Sequence, residues 1–280
     1  MPSLFVRSQY LLPKRAITVL AGAFASARAG FLSTAVIRWF VGHYGVNMSE
    51  AVDPDIRSYR TFNEFFTRAF KPGARPIADA DLVCPIDGAI SQLGRIDRDR
   101  IYQAKGHDYT TTALVGGNAE LAARFQDGSF VTLYLSPKDY HRIHMPCAGR
   151  LERMIHVPGE LFSVNPATAR GVPGLFARNE RVVCVFDSSH GPFVMVLVGA
   201  TIVGSMATVW HGVVNPPRPG EVREWTYDQR TFDFAKGDEM GRFLLGSTVV
   251  MLFPPGPLKF DASWQPERDV RMGEPMGSLG

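Results

Sequence analysis

The sequence predicts an α+β protein, with amphipathic helices at the N-terminus followed by a body of mostly antiparallel sheet. Three observations support this. Apolar residues recur at helical spacing through the first fifty positions. Later apolar runs, such as Phe130 to Leu135, Arg181 to Phe186 and Phe193 to Val198, are short, β-branched and separated by Gly, Pro and Asn turns. No long amphipathic helical pattern follows Phe125. With 280 residues and 45% hydrophobic content, the chain can bury a substantial core. Three widely spaced cysteines, Cys84, Cys147 and Cys184, include no CxxC pair, which argues against a disulfide framework or a zinc ribbon and fits a reducing compartment.

In the head, Ile17, Leu20, Ala21 and Phe24, then Phe31, Leu32, Ala35, Val36, Trp39 and Phe40, predict two helices on either side of Gly30. The longest uncharged run there is twelve residues, between Arg15 and Arg28, well short of the roughly 20 needed to span a bilayer. Arg7, Lys14, Arg15, Arg28 and Arg38 give the head a charge of +5, with no acid before Glu50, and leave the body at −2. An apolar helical face with basic and aromatic flanks suits an interfacial anchor, and packing against the body is the alternative. A boundary near 58/59 divides the head from the body at 59–280. At its start, YRTFNEFF places Thr61 as N-cap and Glu64 three residues later, a capping-box pattern whose helix ends before Pro72.

Several stretches carry groups suited to chemistry. RFLLGSTVVMLF, Arg242 to Phe253, reads as one apolar strand interrupted by Gly246, Ser247 and Thr248. The Ser247 hydroxyl can reach the preceding carbonyl, and Gly246 leaves that carbonyl unobstructed, so an N-to-O acyl shift competes with a plain glycine bulge. LSPKDYHRIHMPCAG holds Asp139, His141 and His144 without a third or fourth ligand at recognisable spacing, which favours acid/base use over zinc. A carboxylate from Asp87 (in CPIDGAI) or Asp139 would orient such a histidine, and the residues alone leave that choice open. VGATIVGSM lacks a Walker lysine and the GxGxxG spacing, and reads as a tightly packed strand. PGELFSVNP and FARNER place Ser163, Asn165, Asn179, Glu180 and Arg181 beside apolar residues, as an amphiphile site or as ordinary loops.

YRTFNEFF, PIDG, YLSPKDYHRIHMPCAG, LFSVNP, LFARNER, LVGATIVGS, EMGRF and LGST occur in order along the chain. With these motifs the chain closely resembles the bacterial, proteobacterial-type phosphatidylserine decarboxylases, which depend on a pyruvoyl group. Only the tail after Phe253 is undistinguished.

The resemblance implies a proenzyme that cuts itself between Gly246 and Ser247, giving a β chain (1–246) and an α chain (247–280) that stay together as a heterodimer, with further dimerisation open. Ser247 becomes the covalent pyruvoyl group, with Asp87, His144 and Ser247 as the maturation triad. The pyruvoyl carbonyl would form a Schiff base with phosphatidylserine, and His141 is the candidate acid that protonates carbon after CO2 departs. The expected product is phosphatidylethanolamine, with no metal and no nucleic-acid partner. Because the acyl chains stay in the bilayer, the resemblance implies peripheral attachment to the anionic, cytoplasmic side of the cell membrane. The competing readings are a pyruvoyl decarboxylase of a soluble amino acid and an inert β-rich lipid-binding scaffold.

Overall fold

The computed structural model describes residues 4–104, 106–202, 205–216, 218, 220–227, 230–244 and 247–279. The head forms α1 (Leu4–Leu11), α2 (Lys14–Ser26) and α3 (Phe31–Tyr44), so one helix precedes the expected pair. Gly45, at φ 67°, ends α3 in the left-handed conformation that favours glycine. Next comes α4 (Phe62–Phe66), where Thr61 Oγ1 accepts from the Glu64 amide at 3.0 Å. The Glu64 carboxylate reaches back to the Arg60 amide at 2.7 Å, one residue beyond the usual capping box.

The body begins with β1 (Leu82–Val83), β2 (Gly88–Arg95), β3 (Arg100–Ala104) and β4 (His107–Thr110). After the short helices α5 (Thr111–Leu114) and α6 (Ala119–Ala123) come β5 (Ser129–Tyr134), β6 (Arg142–His144) and β7 (Gly149–Val157). Two further single turns, α7 (Pro166–Ala169) and α8 (Leu175–Arg178), precede β8 (Arg181–Asp187) and β9 (Phe193–Val198). Then follow β10 (Met206–Thr208), β11 (Gly212–Val213), β12 (Arg223–Thr226), β13 (Asp233–Phe234) and β14 (Glu239–Phe243). The C-terminal stretch supplies β15 (Thr248–Phe253), β16 (Lys259–Phe260), β17 (Asp269–Val270) and β18 (Pro275–Ser278). The chain is α+β with mostly antiparallel sheet, as the sequence predicts.

The main sheet runs β12-β7-β8-β9-β15-β5-β2-β17, with β13 also on β7, and a smaller sheet runs β11-β10-β14-β6. In the main sheet the central strands β9 and β15 are buried along their whole length because both faces are covered. On β15, Val250 and Leu252 join a cluster with Val6, Ala25, Ile37, Phe62, Phe65 and Phe66. The alternate residues Val249, Met251 and Phe253 join a second cluster with Ile143, Met206, Met240 and Phe243. This is the two-residue period of a strand serving two cores at once.

Two expectations are corrected. Arg242 to Phe253 is not one interrupted strand, because β14 belongs to the small sheet and β15 lies at the centre of the large one. The chain passes from one sheet to the other between the end of β14 at Phe243 and the start of β15 at Thr248. VGATIVGSM is likewise no strand: β9 stops at Val198 and β10 starts at Met206, and the residues between connect the same two sheets.

The helices sit on the body with both polar and apolar residues inward and with several large apolar residues outward. α2 buries Lys14, Thr18 and Ala25, and α3 buries Ser33 and Ile37. Leu20 (71%), Phe31 (80%) and Trp39 (59%) stand exposed. Polar ties explain this arrangement. Gln9 donates to Thr168 and accepts from the Ser163 amide, Thr18 accepts from the Ile202 amide, and Asn63 donates to Ser26. Among the described residues no single helix is long and apolar enough to cross a membrane, and α2 with α3 reaches that length only as a pair bent by 112°.

Candidate active site

Ser247 stands at the sheet-to-sheet passage, fully buried, and its carbonyl accepts from the Leu135 amide at 2.9 Å. Among the described residues its hydroxyl has no hydrogen-bond partner. A buried hydroxyl without a partner is costly, so its persistence at this position marks a functional candidate. Gly246, the expected carbonyl side of the cut, lies outside the described residues. Ser247 lines a cavity of about 200 Å³ together with Phe66, Leu135, Asn165 and Ile202 from the body and Phe40 and Tyr44 from α3.

The sheet register brings Asp87 to the same end. Thr248 and Ala89 are both paired with Tyr134, so β15 and β2 flank β5 at one level. Asp87 and Ser247 therefore sit at one edge of the sheet, two strand spacings or about 10 Å apart. Gly88 permits this approach, since a Cβ there would fall 2.2 Å from the Tyr134 carbonyl oxygen. The His144 amide donates to the Pro85 carbonyl at 2.9 Å, which draws that histidine to the same corner.

The hydrogen bonds, however, divide these groups. Arg75 Nε lies 2.9 and 3.0 Å from the two Asp87 oxygens, the Met272 amide donates to Asp87 Oδ1 at 2.9 Å, and the two Arg75 Nη atoms each lie 3.0 Å from Glu50. Burial alone would lower the Arg75 pKa, but the bonds to Asp87 and Glu50 outweigh it and hold the guanidinium charged. His144 donates from Nδ1 to the Gly237 carbonyl at 2.7 Å and accepts at Nε2 from the Tyr140 hydroxyl at 3.2 Å. The triad residues are thus gathered at one corner without forming one hydrogen-bonded chain.

His141 is fully buried, and its Nδ1 donates to the Asp139 carbonyl at 2.9 Å. That bond leaves Nε2 as the basic nitrogen, and Nε2 has no hydrogen-bond partner among the described residues. Its ring packs on Phe66 at 4.0 Å between centroids, and Phe66 also lines the Ser247 cavity. Burial pushes the His141 pKa down to about 3, opposed by the Asp139 carbonyl and reinforced by Arg68. Burial lowers that of His144 too, with Gly237 opposing. Both rings are therefore neutral bases near neutral pH. The Asp139 carboxylate is bound to Ser136 through its amide and hydroxyl, both at 2.7 Å, so its contact with His141 is made by its main chain.

Of the other expected lining residues, Ser163 and Asn165 reach the Ser247 cavity. Asn179 is a buried brace that bonds Phe162 and Gly199, and Arg181 holds the carbonyls of Ala113, Leu114 and Asn179. Sequence reasoning missed Arg75, Tyr140 and the α3 aromatics Phe40 and Tyr44. Tyr140 lay in plain view beside His141, whereas Arg75 sits in the linker PGARPI and carries no local signal.

Comparison with known proteins bears on the family. The family model described as phosphatidylserine decarboxylase matches residues 62–278, and a second, described as PSD, matches residues 4–45. The phosphatidylserine decarboxylase proenzyme of Dechloromonas aromatica is 70% identical over 275 residues, covering 98% of each chain. That of Azoarcus sp. strain BH72 is 70% identical over 99% of this chain and 96% of its own. That of Methylibium petroleiphilum is 71% identical over 96% and 95%. With the match running across both head and body, the chain belongs to the phosphatidylserine decarboxylase family.

Proposed function

We propose that this protein decarboxylates phosphatidylserine to phosphatidylethanolamine with a pyruvoyl group made from its own Ser247. The observation that carries the reading is the buried, unpartnered Ser247 hydroxyl at the passage between two sheets, in a cavity walled by the body and by α3. The group fits there, since Ser247 is already desolvated and borders open space. In maturation, a neutral histidine takes the Ser247 proton and the hydroxyl attacks the Gly246 carbonyl, so that an ester replaces the peptide bond. Elimination frees the Gly246 carboxylate and leaves a dehydroalanine at 247, whose tautomer is hydrolysed by water to release ammonia and the ketone. That ketone supplies the electron sink for loss of CO2.

The residues around Ser247 then bind and orient. Following the family pattern, Asp87 and His144 serve maturation and His141 supplies or holds the proton in turnover. A second assignment, with His141 as the maturation base, is favoured by its free Nε2 and its contact with Phe66. After the cut, residues 247–280 stay attached through β15, whose apolar side chains are almost wholly buried between β5 and β9, at on the order of 1.5–3 kcal/mol each. The exposed Phe24, Phe31, Leu32 and Trp39, with the exposed Arg15, Arg28 and Arg38, support peripheral attachment to an anionic membrane. A soluble amino acid as substrate would leave that outward apolar face without a role.

The test is the mass of the purified protein. Chains of residues 1–246 and 247–280 are expected, the second without a free amino terminus, and Ser247→Ala is expected to remain at full length. Wild-type protein that stays uncut yet releases CO2 from phosphatidylserine would sink the mechanism.

A further inference from the structure

A second cavity, of about 360 Å³, lies beside the first and is lined by Val19, Gly22 and Ala23 of α2 and by Ile202, Arg218 and Leu244. Ile202 lines both cavities. Leu244 is three residues from Ser247, a span of at most about 11 Å. On the α2 side the small residues Gly22 and Ala23 leave room, while Val19 and, close by, Leu20 and Phe24 present exposed apolar surface.

The charge at this cavity is held in place from behind. Glu180 is 1% exposed, and both of its oxygens are taken, one by His156 Nε2 at 3.0 Å and the other by Arg218 Nε at 2.8 Å. Burial would raise the Glu180 pKa, but the bonds from His156 and Arg218 outweigh it and keep the carboxylate ionised. With Nε held on Glu180, the two Nη atoms of Arg218 make no hydrogen bond among the described residues. Neither Glu180 nor His156 has a part in the chemistry at Ser247.

We infer that Arg218 binds the phosphodiester of the substrate head, with Glu180 and His156 as the residues that position it. This rests on the reading that phosphatidylserine reacts at Ser247. The head's phosphate and amine are joined by an O–CH2–CH link, which suits two adjoining cavities, one with a cation and one with the reacting carbonyl. A planar guanidinium fork matches a phosphate geometrically as well as by charge. The acyl chains then leave over Val19 and the exposed face of α2, and remain in the bilayer.

The experiment uses dioctanoyl phosphatidylserine in detergent micelles with the self-cleaved protein. Arg218→Gln is expected to cut normally and to raise KM about 10- to 100-fold, the effect of losing a charge-assisted hydrogen bond, with kcat changed less than threefold or so. Inhibition by dioctanoyl phosphatidic acid should weaken in parallel, while inhibition by dioctanoylglycerol stays as in wild type. Glu180→Gln should shift KM in the same direction by a smaller factor, and Arg218→Lys should recover part of the loss. An unchanged KM, or equal weakening of both inhibitors, would overturn the inference. If Arg218→Gln does not fold, wild type decides, since phosphatidic acid must inhibit at least tenfold more strongly than dioctanoylglycerol and equal inhibition refutes the assignment. An uncut wild-type chain, or one inert towards phosphatidylserine, would instead refute the proposed function.

Discussion

The surroundings of Ser247 and of Asp87 differ sharply although one strand separates them. On the Ser247 side the cavity wall is uncharged, and the Ser247 and Thr248 hydroxyls and His141 Nε2 are buried with no hydrogen bond among the described residues. On the Asp87 side the polar groups are paired in two sets, Asp87 with the Met272 amide and with Arg75, which also holds Glu50, and His144 with Tyr140 and the Gly237 carbonyl. An unsatisfied buried group is chemically available, whereas a satisfied network fixes geometry. The contrast suggests that one side reacts while the other holds the corner together. It also ties the segments on either side of the expected cut, because the Met272 amide on the C-terminal stretch bonds Asp87 in the body.

The largest expected effect tests which side holds the maturation base. By the family pattern His144→Ala stays uncut, whereas His141→Ala cuts but loses about 10² to 10⁴ in decarboxylation rate. Denaturing gels and CO2 release read the two stages separately. An uncut His141→Ala beside a normally cut His144→Ala would exchange the roles and put both maturation and chemistry on the Ser247 side.

Next is the clamp on the polar side. Arg75→Gln leaves Asp87 and Glu50 facing each other half-buried, with an expected loss of about 3–5 kcal/mol in denaturant unfolding, and Arg75→Lys should lose less. A loss below about 1 kcal/mol would show that this corner is not held by the ion network.

A third comparison sets the inward face of the head, with its polar ties, against the apolar residues turned outward. Exchanging the exposed Arg15, Arg28 and Arg38 for Gln is expected to weaken binding to anionic vesicles by about 1 kcal/mol per residue and to neutral vesicles little, as flotation would report. Equal flotation of variant and wild type on anionic vesicles would remove these arginines from the anchor. Deleting the head is a poorer test, because Val6, Ala25 and Ile37 belong to the body's core.

The last effect is graded with pH. His141 binds its proton at about 3 in the folded protein and near 6.5 when unfolded, so between those values the unfolded state holds more protons. Stability is therefore complete above about 6.5 and falls by up to about 1.4 kcal/mol per pH unit as the pH drops towards 3. His141→Gln should flatten that slope in thermal unfolding. An unchanged slope would place the acid sensitivity elsewhere.

Much of this was legible in the chain. The head helices, the Thr61 cap and the β-rich body are local patterns, and local patterns survive folding because capping and periodicity act within a few residues. Asp87, His141, His144 and Ser247 stand in contiguous motifs of the family, and their roles are those proposed above. Two things were not legible. The passage of RFLLGSTVVMLF between two sheets depends on which strands flank each half, and an apolar run reads the same whether it serves one sheet or two. The outward turn of Leu20, Phe31 and Trp39 depends on polar ties such as Gln9 to Thr168 and Thr18 to Ile202, made across more than 150 residues of chain.

The sequence by itself determined the elements and the chemical groups, since side-chain type and short-range spacing are properties of the chain. Only the tertiary structure decided the partners. Arg75 came to hold Asp87, Tyr140 came to occupy His144, and His141 Nε2 and the Ser247 hydroxyl were left bare, because hydrogen bonding in a buried corner depends on which segments meet there.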